Sequence, residues 1–141
     1  MPQPPPFSPT VMLLTLASSW ESALTQALRP LGLTTRKYAL LGHIRATPGI
    51  SFSELARRSR ITTPSAHGAV SGLVADGWVE DVTSRAGAAS RLRITPAGEQ
   101  LLTEAAREVA ALDADLTRTH PGVTQALHNH YLEMADRFTN L

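Results

Sequence analysis

The 141-residue sequence contains no cysteine. Disulfide frameworks, thiolate zinc sites and thiol redox chemistry are therefore excluded. Charged residues make up only 18% against 43% hydrophobic, a balance too apolar for a disordered chain and sufficient for one core. Long hydrophobic runs are also missing. The most apolar stretch, Val11 to Ala17, has no basic segment before it and is too short to span a membrane. Ser18, Ser19 and Glu21 follow it, so it reads as part of an amphipathic helix. The expectation is a cytoplasmic protein without a membrane partner. No nucleophile–base pair, phosphate-cradling glycine loop or carboxylate pair stands out, so no catalytic residues and no cofactor are expected. His128 and His130 are two apart and point to different sides of a helix, which argues against metal.

What is present is a string of helix signals. Met1 to Pro6 holds four prolines and reads as a loose tail over 1–7. Ser8 before Pro9 is a helix start, and Leu13, Leu16, Trp20, Leu24, Ala27 and Leu28 share one helical face until Pro30 and Gly32. A second helix starts near Thr34 or Thr35 and carries Tyr38, Leu41 and Ile44 as far as Thr47-Pro48-Gly49. Ser51 and Glu54 have capping-box spacing, with Glu54 expected to reach back to the Ser51 amide. That short helix runs to about Ser59. The next is capped by Thr62 or Thr63 and runs to about Asp76, with Gly77 suited to end it.

The apolar period then changes from 3.6 to 2. Trp78 to Thr83 and Ser90 to Thr95 read as strands, with Ala86 to Ala89 as a small-residue hairpin tip. In the second strand Leu92 and Ile94 alternate with Arg91 and Arg93, so one edge faces the core and the other offers two guanidinium groups. Thr95 and Pro96 open a helix striped by Leu102, Ala105, Val109, Leu112 and Leu116. After His120-Pro121-Gly122 a last helix carries Val123, Leu127, Tyr131, Met134 and Phe138.

The net charge of +1 hides a segregation: residues 34–98 sum to +5 and the flanks to −4. A basic middle between acidic arms suits a nucleic-acid-facing lobe. Two short helices joined by a tight turn, followed by a basic hairpin, form a winged helix-turn-helix. The fold class expected is mainly α with a small β-hairpin wing. The second short helix would offer its N-terminal side chains to base edges in the major groove. Arg57, Arg58, Arg60, Arg91 and Arg93 are candidates for phosphate contact. Residues 8–33 and 99–141 carry apolar stripes that a lone module cannot cover. They are expected to pair two copies of the chain, setting the recognition helices about 34 Å apart on a pseudo-palindromic site. Gly68 and Gly72 mark either close packing by a neighbouring helix or close approach to DNA, with packing the favoured expectation.

Four landmarks then carry a resemblance. They are Leu33-Thr34 with Tyr38-Ala39-Leu40-Leu41, then Ser53-Glu54-Leu55-Ala56. Leu73-Val74-Ala75-Asp76-Gly77-Trp78-Val79-Glu80 and Leu92-Arg93-Ile94-Thr95-Pro96-Ala97-Gly98 follow. In this order and spacing the chain resembles the MarR family of bacterial regulators from about Ser8 to Phe138. The resemblance implies a homodimer built from the terminal helices, binding to double-stranded DNA, and regulation of nearby genes. It also implies a small aromatic or phenolic effector held between the dimer helices and the DNA-binding lobe, where it would shift a population between DNA-competent and incompetent states. The chain departs from the family in two places. Its recognition helix has no mid-helix arginine or lysine, and its wing tip is Ala86 to Ala89 rather than Asp-x-Arg. Base reading then falls to Thr62, Thr63, Ser65 and His67, and wing contact to Arg85 or Arg91. Trp20, Tyr38 and His43 are candidates for an effector pocket, with plain core or dimer packing the competing reading for Trp20 and Tyr38.

Two other functions remain open on the sequence. One is a small-molecule-binding protein or enzyme that has this scaffold and no longer binds DNA, which the arginine-free recognition helix favours. The other is a protein–protein module whose outer helices hold a partner.

Overall fold

The computed structural model describes residues 1–83 and 91–139, with the backbone alone for 136–139. In chain order it has α1 (Pro9–Leu28), a 3-10 turn (Arg29–Leu31), α2 (Thr35–Ala46), α3 (Phe52–Ser59) and α4 (Thr63–Ala75). These are followed by β1 (Val79–Asp81), β2 (Leu92–Ile94), α5 (Pro96–Thr119) and α6 (Pro121–Thr139). The architecture is that of a winged helix, mainly helical with one small antiparallel sheet.

Five helices start on a side-chain hydroxyl. Ser8, Thr34, Ser51, Thr62 and Thr95 each accept from the amide three residues on, at 3.1–3.4 Å. Such a cap satisfies an amide that the helix itself cannot, and typically contributes about 1 kcal/mol. Of the paired candidates, Thr34 and Thr62 are the caps because their backbones are extended, while Thr35 and Thr63 are already helical. At Ser51 only half of the expected capping box forms. The Ser51 hydroxyl takes the Glu54 amide, but the Glu54 carboxylate turns to Arg57 and Arg58 instead of the Ser51 amide. Two guanidinium donors offer charge-assisted bonds that outcompete one neutral amide.

The core is made by Leu28 and Leu33, by Leu40, Leu41 and Ile44 of α2, and by Ile50, Leu55, Val70 and Leu73. Val79, Leu92, Leu101, Leu102 and Ala105 complete it. It is continuous from the end of α1 through the helix-turn-helix to the first turns of α5, so the lobe and the root of α5 share one hydrophobic interior. Farther out, α1 and α6 are solvent-facing. Val11, Met12, Leu13, Leu14, Leu127, Tyr131, Leu132 and Met134 are all more than two-fifths exposed.

The strands are shorter than their sequence pattern. Pairing joins Val79 to Ile94, Glu80 to Arg93 and Asp81 to Leu92. The expected hairpin tip, Ala86 to Ala89, lies outside the described residues. A contact not visible in the pattern braces β2 on its other side: the Leu92 amide donates to the Ile50 carbonyl at 3.0 Å, and the Gly49 amide to the Leu92 carbonyl at 2.9 Å. The α2–α3 loop is thereby tied to the wing.

Gly98, in the first turn of α5, marks the closest approach between α5 and the sheet. A Cβ built on it would lie 2.3 Å from the Trp78 carbonyl oxygen and 2.9 Å from the Ile94 Cγ2. No other residue fits without a backbone shift. Thr95 fixes this corner, its hydroxyl donating to the Gly77 carbonyl at 2.6 Å. Gly77, at φ 80°, ends the α4 turn in the left-handed region.

Candidate nucleic-acid interface

Helix α4 exposes Thr63, Pro64, Ser65, His67, Gly68 and Ser71. Thr62 is exposed too, but its hydroxyl is committed to the cap, accepting from the Ser65 amide and donating to the Ser65 Oγ at 2.8 Å. Thr63, Ser65 and His67 are the other polar side chains exposed on the first turns of the helix. His67 is held in a defined pose. Its ring stacks on Phe52, with centroids 3.8 Å apart and planes 18° from parallel. Phe52 opens α3 and itself packs against the core. The sequence pattern contained no signal for this pair, which lies fifteen positions apart on two helices.

Gly68 and Gly72 do not mark close packing within the chain. A Cβ on either meets nothing within 4 Å among the described residues. The expectation of a neighbouring helix against them is corrected: they leave this side of α4 open.

The arginines divide into two groups. Glu54 accepts from Arg57 Nε at 2.9 Å, Arg57 Nη2 at 2.6 Å and Arg58 Nε at 2.8 Å. Those donors hold the Glu54 carboxyl down to about 2, and the same bonds raise the Arg57 guanidinium above its usual range. Arg58 also donates to Thr47 Oγ1 at 2.7 Å. Arg57 and Arg58 are thus partly neutralised. Lys37 lies 3.7 Å from Asp76 and over the Trp78 ring. By contrast Arg60, Arg91 and Arg93 form no salt bridge among the described residues, and all three are exposed.

Arg91 and Arg93 line a hollow of about 380 Å³ with Pro48, Gly49 and Val82. Asp81 organises its rim: its Oδ1 accepts from the Arg91 amide at 3.3 Å, from the Thr83 amide at 3.2 Å and from the Thr83 hydroxyl. Sequence reasoning passed over Asp81, because a strand-end carboxylate has no periodic signature. The wing arginines thus share this hollow with Pro48 and Gly49, and the same loop leads into Phe52 and its stacked partner on α4. Arg85 lies outside the described residues.

Arg60 ends α3 at φ 55°, and no other non-glycine residue among those described has positive φ. It lines a second cleft, of about 250 Å³, with Arg36, Ala39, Leu40, His43, Arg58, Ser59 and Ile61. The Ser59 hydroxyl there is buried without a hydrogen-bond partner among the described residues. Of the three candidate effector residues, only His43 is in this cleft. Trp20 lines a separate cavity of about 160 Å³ between α1 and α5, with Leu24, Val109, Leu112, Asp113 and Leu116. Tyr38 is half-buried against the core. The chain does not bring Trp20, Tyr38 and His43 into one site.

Comparison with known proteins agrees with this architecture. Residues 31–89 match the family model described as MarR family. A MarR-family protein of Mycobacterium tuberculosis, solved in complex with salicylic acid, is 25% identical, with 93% of this chain and 98% of that chain covered and a TM-score of 0.70. The same protein solved with DNA gives 24% identity, 92% and 98% coverage and a TM-score of 0.74. Wild-type MarR of E. coli is 19% identical over 92% of this chain and 98% of that chain, with a TM-score of 0.75. No curated protein matches the sequence.

Proposed function

We propose that this chain, whose residues 31–89 match the MarR family model, is a winged helix-turn-helix transcription regulator of that family, working as a homodimer that binds pseudo-palindromic duplex DNA and responds to a small effector. In this reading 34–98 is the DNA-binding lobe, 8–33 and 99–141 are the pairing region, and 1–7 is a tail. The observation that carries it is the surface linking α4 to the wing. A recognition helix without Lys, Arg, Asp or Glu presents Thr63, Ser65 and His67, and Arg91 and Arg93, which form no salt bridge among the described residues, share a hollow with Pro48 and Gly49. Arg60, Arg91 and Arg93 hold phosphates, while the short polar side chains of α4 meet bases. Arg57 and Arg58, braced by Glu54, contribute less.

The exposed apolar residues of α1 and α6 support pairing, because a monomer would leave Leu13, Leu14 and Tyr131 more than three-fifths in water. The His43 cleft supports an effector. Arg36 and Arg60 offer cationic walls over an apolar floor of Ala39, Leu40 and Ile61, which suits a small aromatic carboxylate. The M. tuberculosis relative was solved with such a molecule. No helix among the described residues is long and apolar enough to cross a membrane.

A salt titration of binding to random duplex DNA tests the reading. Affinity is expected to fall steeply with salt, because bound cations are released from the duplex. Absence of duplex binding at low salt would overturn it. That result would favour the second reading, a ligand-binding protein on this scaffold that does not bind DNA, for which the absence of any lysine or arginine from α4 speaks.

A further inference from the structure

Helix α4 has no Lys, Arg, Asp or Glu from Thr63 to Ala75, and His67 is its sole ionisable side chain. It is also the longest side chain on the exposed part of the first two turns, where its neighbours are Thr63, Pro64 and Gly68. An exposed histidine ordinarily samples several rotamers. This one is stacked on Phe52 at 3.8 Å, and Phe52 is in turn packed against the core. Stacking covers a face of the imidazole and leaves its nitrogen-bearing edge open. Among the described residues neither ring nitrogen of His67 has a hydrogen-bond partner.

We propose that His67 is the specificity-determining residue of the recognition helix, donating from its ring edge to guanine N7, and that Phe52 is its positioning residue. The proposal rests on the DNA-binding reading above. Guanine is the base of choice because it presents two adjacent acceptors, N7 and O6, to an incoming N–H. Adenine sets a donor amino group beside its N7, and pyrimidines have no N7. Phe52 orders the imidazole before DNA arrives, so the loss of rotamer freedom on binding is already met in the free protein.

The test starts with selection from a random duplex pool by the full-length wild-type chain. One position in each half-site is expected to enrich guanine. Replacing that base by 7-deazaguanine, which has C–H where guanine has N7, is expected to weaken wild-type binding about tenfold. The same replacement is expected to leave the binding of His67→Ala unchanged. Phe52→Leu is expected to lower guanine preference at that position, and Phe52→Tyr to restore it, at matched folded fractions checked by thermal melts. A His67→Ala variant that keeps the guanine preference and the 7-deazaguanine effect overturns the proposal. Equal base preference in Phe52→Leu and Phe52→Tyr removes the positioning role. Wild-type chain that binds duplex but enriches no guanine refutes the inference and leaves the regulator reading intact, whereas no duplex binding at all removes both.

Discussion

The corner where α5 meets the sheet allows one substitution to be worked through in both directions. In Gly98→Ala the new methyl would stand 2.3 Å from the Trp78 carbonyl oxygen, a backbone atom that cannot rotate away. Ordinary contact needs roughly 1 Å more, so α5 must shift or the Trp78 peptide must tilt. The same carbonyl accepts the Thr95 amide at 3.1 Å, and Thr95 caps α5, so a shift also strains the cap. Overpacking of this kind costs about 1–3 kcal/mol, and the better helix propensity of alanine returns at most about 1 kcal/mol. The net expectation is a loss of about 1–2 kcal/mol, read as a melting temperature lower by about 5 °C at fixed protomer concentration. Gly68→Ala is the internal control. A Cβ there meets nothing within 4 Å, so the same chemical change is expected to stabilise by about 0.5–1 kcal/mol. Paired thermal and urea melts decide the matter. If the two variants shift stability in the same direction, the close-approach argument is wrong. Because α5 runs from the lobe's core into the region assigned to pairing, Gly98→Ala is also expected to weaken operator binding beyond its effect on stability.

Four other outcomes follow from the structure. Leu73 is fully buried at the centre of the lobe, and Leu73→Ala is expected to cost about 2–5 kcal/mol in urea unfolding. Arg91→Ala is expected to weaken binding to all duplexes and to reduce the salt slope by about 0.9 per protomer, whereas Thr63→Ala mainly relaxes base preference; equal losses from both on every sequence would contradict that division. Glu54 has its carboxyl lowered from 4.5 to about 2, so its contribution to stability is whole above pH 4.5 and is lost as the pH falls toward 2. Glu54→Gln is expected to remove that part of the acid limb in a circular-dichroism titration and, by freeing Arg57 and Arg58, to tighten non-specific DNA binding at low salt. Leu13→Glu together with Leu14→Glu puts charge on an exposed apolar face of α1, and light scattering is expected to show monomers; a dimer retained at micromolar concentration would place the pairing surface elsewhere.

The helix starts were written in the local chain. A serine or threonine hydroxyl needs only an amide three residues away, so Ser8, Thr34, Ser51, Thr62 and Thr95 declare themselves without knowledge of the rest of the molecule. The alternation of Leu92 and Ile94 with Arg91 and Arg93 is likewise a property of one strand, as is the count of charges that makes 34–98 basic. Folding settled whatever depends on groups far apart in sequence. Ile50 bonds to Leu92, Phe52 stacks on His67, and Gly98 admits Trp78, because distant backbone segments are forced together by a shared core. It also separated Trp20 from His43, which no spacing rule could do, since the two lie on helices whose mutual placement is fixed by packing. Periodicity reports which face of an element is apolar; it does not say which other element will cover that face, and the surface proposed for recognition is made from such encounters.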